Sequence, residues 1–240
     1  MAGITLKEII LAFAIGILPT FLWLWFWFNQ DKKNRKRGFL LLLYGVGMIS
    51  LFAIFPFKTL VERLGIPTHE YVFVFAAAEE IIKVTITAII AFRAKLITKP
   101  TDYTVYLVTL ALGLSALENA LYLIQPLLEN NITLVLFTGN LRFIGATLLH
   151  TVCVAIVGIM LGMTYYDKKI TQWMHGIFGL GVAISLHAIF NYFILVGTTS
   201  STLIGLIGLW LVGVIVFILF KRIQKTHQYQ ETSYFKKLSS

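Results

Sequence analysis

The chain has 240 residues, of which 58% are hydrophobic and 13% are charged, and its net charge is +9. A soluble domain of this size rarely has such a composition. The basic residues form no stripe interleaved with aromatic residues, so we expect no nucleic-acid partner. The single cysteine, Cys153, excludes an intramolecular disulfide and a zinc site built from several cysteines. One membrane domain in contact with a lipid bilayer is predicted.

Apolar segments of about 20 residues, the length that crosses ~30 Å of hydrocarbon, follow one another along the chain. They predict an all-α polytopic bundle of about seven transmembrane helices within a single domain, residues 1–220, followed by a basic cytoplasmic tail, residues 221–240. The helices are predicted at 5–28, 38–57, 71–97, 101–125, 142–164, 173–196 and 202–220.

The first apolar segment is followed by a basic block, DKKNRKR (31–37), and not by a cleavage site. This pattern is typical of a retained transmembrane helix. Further basic residues fall in alternate connections, where positive charge marks the cytoplasmic side. We therefore predict a multi-pass protein of the cell membrane with its N-terminus outside and its C-terminus in the cytoplasm. The basic residues are Lys32, Lys33, Arg35 and Arg37, then Arg93, Lys95 and Lys99, then Lys168 and Lys169, then Lys221, Arg222 and Lys225.

The third predicted helix contains AAAEEIIKVT, which places Glu79, Glu80 and Lys83 in an otherwise apolar run. A charged side chain at the centre of a spanning helix costs roughly 2.5–3.5 kcal/mol. Lys83 follows Glu80 by three residues and Glu79 by four, so it can pair with either carboxylate on one helix face. The remaining carboxylate must be protonated, find another partner or face water.

Polar residues also interrupt the next three helices. Glu118 lies in LGLSALENALYL, and His150 lies in RFIGATLLHTVC, where Arg142 marks the predicted outer end of the helix. His187 and Asn191 lie four residues apart in SLHAIFNYF, and therefore on one helix face.

Counting 1.5 Å per residue from the predicted outer helix ends places five of these residues at a common depth of ~11–14 Å. A shared depth favours one site over independent structural pairs. Asn191 lies nearer the outside, at ~8 Å. We expect His175 to be interfacial and Cys153 to be a packing residue. The five residues at common depth are Glu79, Glu80, Glu118, His150 and His187.

Buried ionisable residues also occur in membrane proteins that are not enzymes. A Glu79–Lys83 ion pair fixes packing, and His187 with Asn191 forms interhelical hydrogen bonds in a non-catalytic scaffold. Intramembrane Glu, His and Lys also form proton relays, so a proton- or ion-coupled transporter is the main alternative function. Against it, the charged groups occupy one layer, and we find neither internal repeats nor Gly/Pro-broken helices.

Over about residues 71–196 the sequence resembles the PrsW-type intramembrane proteases. EEIIK is similar to their E-E-x-x-K motif, Glu118 to the acid of F-x-x-x-E, HTVCVAIVGIMLG to their histidine helix and HAIFN to H-x-x-x-D. The scheme also resembles that of the CAAX-processing and bacteriocin-processing membrane proteases. Two positions depart from the PrsW pattern: Leu114 replaces phenylalanine, and Asn191 replaces an aspartate.

The resemblance implies an enzyme, a hydrolase that cleaves a peptide bond inside the membrane. Water must then be activated, the oxyanion stabilised and the leaving amine protonated. Glu80 or Glu79 is the expected general base, while the other glutamate pairs with Lys83. The substrate is expected to be a membrane protein or peptide cut near its outer face, for example an anti-sigma factor.

The remaining predicted site residues support the same reaction. His150 is expected to orient the water or bind a metal, Glu118 to orient a histidine, and His187 and Asn191 to bind the oxyanion. A Zn²⁺ site built from His150, His187 and a glutamate suits the same residues. Metal-dependent and metal-free mechanisms both stay open, and no oligomeric state follows from the sequence.

Overall fold

The computed structural model of the protein describes residues 5–30, 37–65, 67–92 and 96–239. Throughout these residues the chain forms helices and no strand, which confirms the predicted all-α bundle. Five of the basic residues on which the predicted orientation rests lie outside the described residues: Lys32, Lys33, Arg35, Arg93 and Lys95. The helices are α1 (Leu6–Gln30), α2 (Arg37–Ser50), α3 (Phe55–Arg63), α4 (Thr68–Thr87), α5 (Pro100–Leu128), α6 (Ile132–Leu141), α7 (Thr147–Met163), α8 (Lys169–Val196) and α9 (Thr199–Ser239).

Three short segments modify these helices. A 3₁₀ turn, Leu51–Ala53, leads from α2 towards α3. A π-helical segment, Ala88–Phe92, continues α4, and a second one, Arg142–Ala146, joins α6 to α7. Most π-helical segments of this length are insertions within α-helices, and they occur frequently at functional sites.

In the described part of the chain, six helical segments are long and apolar enough to cross a membrane. The predicted third span corresponds to α4, which is not among the six because Glu79, Glu80 and Lys83 interrupt its apolar sequence. With its π-helical continuation, α4 is about 37 Å long, enough for a seventh crossing. The seventh span stays a prediction. The six segments are Leu6–Asn29, Arg37–Val61, Pro100–Leu128, Ile132–Met163, Lys169–Val196 and Thr199–His227.

The fifth predicted span, 142–164, has the wrong start. Its helix begins at Ile132 because Asn131 caps the N-terminus: Asn131 Oδ1 accepts a hydrogen bond from the Leu134 amide at 3.0 Å. The chain then stays helical as far as Met163. Arg142 therefore lies within a long helix, at the start of its π-helical segment, and not at a helix end.

α5 is the central helix of the bundle. Every residue from Pro100 to Leu117 is buried, and α5 packs against α1, α2 and α7. α4 joins the bundle from one side and packs mainly against α8, with further contacts to α5 and α7. Helices α4, α5, α7 and α8 therefore surround a common space in the interior of the protein.

α9 is a single helix that passes through the predicted boundary between residues 220 and 221. Its apolar part, Thr199–His227, also extends beyond that boundary. The division into a membrane domain and a cytoplasmic tail stays a prediction.

Glycines allow α2 and α5 to approach one another at backbone distance. A Cβ atom on Gly47 would lie 2.0 Å from the Leu110 carbonyl oxygen, and one on Gly113 would lie 1.9 Å from the Tyr44 carbonyl oxygen. Small residues allow such close helix packing in membranes. A Cβ atom on Gly45, which lies on the same helix as Gly47, would have no atom within 4 Å.

We expect Gly47→Ala to destabilise the protein and Gly45→Ala to leave its stability nearly unchanged. A methyl group at position 47 overlaps the α5 backbone, and overpacking of this kind costs about 1–3 kcal/mol. At position 45 the methyl group enters open space, and alanine is the better helix former. Thermal unfolding in detergent micelles measures the difference. Equal transition temperatures for the two variants would contradict the described α2–α5 crossing.

Candidate active site

Six ionisable side chains from four helices meet in the space between α4, α5, α7 and α8. We call them the Glu–His cluster. Five of them are at most 2% exposed, and Glu118 is the exception, with a side chain that is 16% exposed. The cluster consists of Glu79, Glu80 and Lys83 from α4, Glu118 from α5, His150 from α7 and His187 from α8. The structure thus assembles the residues that the sequence placed at one depth, together with Lys83.

Lys83 occupies the centre of the cluster. Its Nζ donates to Glu80 Oε1 and lies 3.1 Å from His150 Nδ1. Of the two carboxylates that the sequence placed within reach, the lysine therefore pairs with Glu80. Both side chains of this ion pair are fully buried. Because an ammonium group only donates hydrogen bonds, His150 Nδ1 must be an acceptor.

Each histidine is held by a carboxylate through one of its ring nitrogens. His187 Nδ1 lies 2.6 Å from Glu80 Oε1, and His150 Nε2 lies 2.9 Å from Glu118 Oε2. A carboxylate accepts, so these two nitrogens donate, and in a neutral ring the other nitrogen is an acceptor. Such carboxylate–histidine pairs fix the tautomer and orientation of metal-binding histidines.

Glu79 is the carboxylate that remains. Its Oε2 is buried and has no hydrogen-bond partner among the described residues. It lies 3.6 Å from His187 Nε2 and 4.0 Å from His150 Nδ1. These three atoms are all acceptors, and acceptors buried together require a shared proton, a water molecule or a cation.

The same three residues are suited to a metal ion. The ligand atoms of Glu79, His150 and His187 lie within 4.8 Å of one another. Two imidazoles and one carboxylate form the ligand set of several catalytic zinc sites. The unpartnered Glu79 oxygen and the carboxylate behind each histidine therefore fit a zinc ion.

Cys153 belongs to a second possible group of ligands, with Glu80 and His187. That group is less suitable for a metal ion, because Glu80 Oε1 and His187 Nδ1 are already hydrogen-bonded to each other. Cys153 itself is fully buried in the apolar core, which agrees with the predicted packing role.

Asn191 and His175 lie outside the cluster. Asn191 is half-buried one turn beyond His187 on α8 and has no hydrogen-bond partner within the described ranges. Its predicted oxyanion role stays a prediction. His175 is exposed, and its Nδ1 lies 2.9 Å from the Thr171 carbonyl oxygen, as expected for a residue without a place in the site.

Arg142 was not predicted to belong to the site, because the wrong helix start placed it at the membrane surface. Its Nη2 lies 2.8 Å from Glu118 Oε2, and its Nε donates to Asn119 Oδ1 at 2.7 Å. The guanidinium carbon also lies 4.0 Å from the centre of the Tyr122 ring. A lone arginine in an apolar segment was the sequence signal that could have revealed this contact, since such a charge needs a buried partner.

Comparison with known proteins identifies the family. The model of the PrsW family intramembrane metalloproteases matches residues 35–220, which is more than half of the chain. The chain belongs to the PrsW family. No curated protein and no solved structure matches it significantly.

PrsW membership gives the protein its general function. The protein is an intramembrane protease, and therefore a hydrolase that acts in a lipid environment on a membrane-protein or peptide substrate. Its apolar helices make it a multi-pass membrane protein. The matched region contains the whole Glu–His cluster, which favours proteolysis over the transporter considered from the sequence.

We expect Lys83→Met to destabilise this PrsW-family protein strongly, because it leaves the Glu80 carboxylate buried without its cation. Breaking one side of a buried ion pair costs about 3–5 kcal/mol. The double variant Lys83→Met/Glu80→Gln removes both charges and should recover part of that loss. Lys225→Met, at an exposed position, is the control. Unfolding free energies in mixed micelles test this expectation, which fails if the single and double variants are equally stable.

Proposed function

We propose that this PrsW-family protease hydrolyses a peptide bond with a water molecule held between Glu79, His150 and His187. The observation that carries the proposal is the unpartnered Glu79 Oε2, which faces His187 Nε2 at 3.6 Å and His150 Nδ1 at 4.0 Å. A water molecule at this point can donate one hydrogen atom to the carboxylate and the other to a ring nitrogen. Its oxygen atom is then free to attack a carbonyl carbon.

The two glutamates have different roles in this proposal. Glu80 Oε1 already accepts from Lys83 and from His187, so Glu80 anchors these two residues. Glu80 Oε2 is also buried without a partner, but the negative charge of that carboxylate is already shared with Lys83 and His187. Glu79 has no hydrogen-bond partner among the described residues and is therefore the general base. Glu79 takes a proton from the attacking water and returns it to the leaving amine.

The other site residues stabilise charge and position the water. Glu118 accepts from His150 Nε2, so it orients the ring whose Nδ1 faces the water. Asn191, one turn beyond His187 on α8, would bind the oxyanion through its side-chain amide N–H. His187 would join it through Nε2 when that nitrogen carries a proton. Glu80 accepts from His187 Nδ1 and so keeps that ring oriented with Nε2 towards the attacking water.

Glu79, His150 and His187 are also the residues that would hold Zn²⁺. A bound zinc ion lowers the pKa of a water ligand and polarises the carbonyl group of the substrate. Lys83 Nζ lies 3.1 Å from His150 Nδ1, so zinc would compete with the lysine for that nitrogen. The Glu80 carboxylate is available to retain the lysine in that case.

The described basic residues support the predicted orientation in the cell membrane. Arg37 begins α2, Lys99 precedes α5, and Lys168 and Lys169 begin α8. Because successive helices alternate in direction, these positions lie on one side of the membrane. Positive residues accumulate on the cytoplasmic side. We therefore propose that the opposite ends of the helices face outward.

The site then lies in the outer half of the bilayer. Glu79 is about 17 Å from the start of α4, Glu118 about 15 Å from the end of α5, and His187 about 14 Å from the end of α8. A membrane protein cut near its outer face suits this depth. A single-span regulator such as an anti-sigma factor is the substrate class that we propose.

We expect Glu79→Gln to lower proteolysis by more than about 100-fold, since a general base contributes at least that factor. Glu80→Gln and His187→Ala should each lower it by about 10–100-fold, the usual cost of losing a residue that orients a metal-binding or catalytic group. The assay uses proteoliposomes and a single-span peptide with a fluorophore and a quencher on either side of its outer end. Exposed His175→Ala and Glu129→Gln are matched controls. Full activity in the three cluster variants would refute the proposed site. Proton flux without cleavage by the wild type would indicate a transporter.

We expect 1,10-phenanthroline to inhibit cleavage, added Zn²⁺ to restore it, and the non-chelating isomer 1,7-phenanthroline to have no effect. The reason is that two histidines and a carboxylate bind zinc through groups that a chelator can outcompete. Elemental analysis of the purified protein should find zinc in the wild type and much less in His150→Ala. Activity that survives complete zinc removal would show that Glu79 activates water without a metal.

A further inference from the structure

The guanidinium group of Arg142 makes one ion pair and one hydrogen bond to consecutive residues of α5. Its Nη2 contacts Glu118 Oε2 at 2.8 Å, and its Nε donates to Asn119 Oδ1 at 2.7 Å. The planar group also lies over the ring of Tyr122, one turn further along α5. Only a guanidinium group offers donors in such a fixed fork, so lysine at this position would retain the charge but not the geometry.

The atom that Arg142 contacts is the atom that holds His150. Glu118 Oε2 lies 2.8 Å from Arg142 Nη2 and 2.9 Å from His150 Nε2. Glu118 is also the most exposed member of the Glu–His cluster, with 16% of its side chain accessible. It is therefore the member that water could most readily draw away from its histidine, and Arg142 opposes that movement.

Asn119 is itself fixed by α7. Its Nδ2 donates to Thr147 Oγ1 at 3.0 Å, and Ser115 Oγ donates to the same oxygen at 3.2 Å. Asn119 and Thr147 are buried, so the Asn119 carbonyl oxygen points at Arg142 in a determined direction. The arginine is thus held from two sides, by a rigid amide and by the carboxylate that it positions.

We propose that Arg142 is a positioning residue, which fixes Glu118 and thereby holds His150 with Nε2–H towards Glu118 and Nδ1 towards the pocket. The inference rests on the proposed function insofar as that function gives His150 Nδ1 a role in holding water or metal. The π-helical segment that begins at Arg142 is where α6 joins α7, and its wider turn changes the helical register between Arg142 and His150. Arg142 acts only through other residues of this chain.

The first test observes the His150 ring directly and requires no substrate. The protein is labelled with ¹⁵N-histidine, and His150→Ala identifies the signals of that ring in nuclear magnetic resonance spectra. We expect one tautomer, protonated at Nε2, in the wild type and a mixture of tautomers in Arg142→Gln. Arg222→Gln, the same change at an exposed position on α9, should match the wild type. A wild-type tautomer in Arg142→Gln would overturn the proposal.

The second test measures zinc affinity and catalysis. Substitutions that remove the partners of a metal-binding histidine typically cost 10–100-fold in affinity or activity. We expect Arg142→Gln to weaken zinc binding about tenfold and to lower kcat by a similar factor, with KM nearly unchanged. Arg142→Lys should fall between Arg142→Gln and the wild type. A rise in KM with unchanged kcat would overturn the positioning role.

A double variant separates positioning from a general effect on folding. If Arg142 acts through Glu118, then Arg142→Gln should change kcat less than about twofold in a Glu118→Gln background, because interacting residues are not additive. Additive losses would overturn the proposal, as would a loss that follows the unfolding temperature across the variants. Full activity in Glu79→Gln and His150→Ala would instead refute the proposed function, while the tautomer of His150 would still test Arg142.

Discussion

The Lys83 ammonium group is fully removed from water and lies between a carboxylate of its own helix and a histidine of α7. An isolated charge in hydrocarbon is costly, so α4 is acceptable in a membrane only when these partners surround it. The requirement orients α4: its charged face must turn towards α7 and α8, and other apolar residues of the helix, such as Phe73 and Ile81, are exposed. The interaction that permits α4 to lie in the bundle is thus also the one that builds the site.

Around this ion pair the polar groups are arranged so that each carboxylate but one has a structural partner. Glu80 holds Lys83 and His187, and Glu118 holds His150 and contacts Arg142. Glu79 Oε2 is left without one, next to the ring nitrogens that the other carboxylates have oriented. Rigid neighbours around a carboxylate that has no partner are what activation of water or binding of a metal requires.

Depth counted along the sequence predicted the members of the cluster, although the individual depths were less accurate. For His150 the count used a helix start at residue 142 and gave ~12 Å, whereas the helix begins at Ile132, about 27 Å away. The membership was still correct, because an ionisable residue in an apolar helix must find its partners wherever the helix ends lie. Arg142 was missed because the count placed it at a helix end. The Asn131 cap, which moves the helix start to Ile132, is a weak local signal in a polar turn.

Residue order alone establishes that the chain is an all-α membrane protein, that its helices carry ionisable residues in their apolar interior, and that its motifs are those of PrsW-type proteases. These properties follow from segment length, composition and residue order, which are local. Which glutamate pairs with Lys83 depends on helix packing, because both lie within reach on α4 and His187 of α8 approaches only Glu80 with its Nδ1 donor. The tertiary structure also places Arg142 beside Glu118, because that contact depends on how α5 packs against α6 and α7.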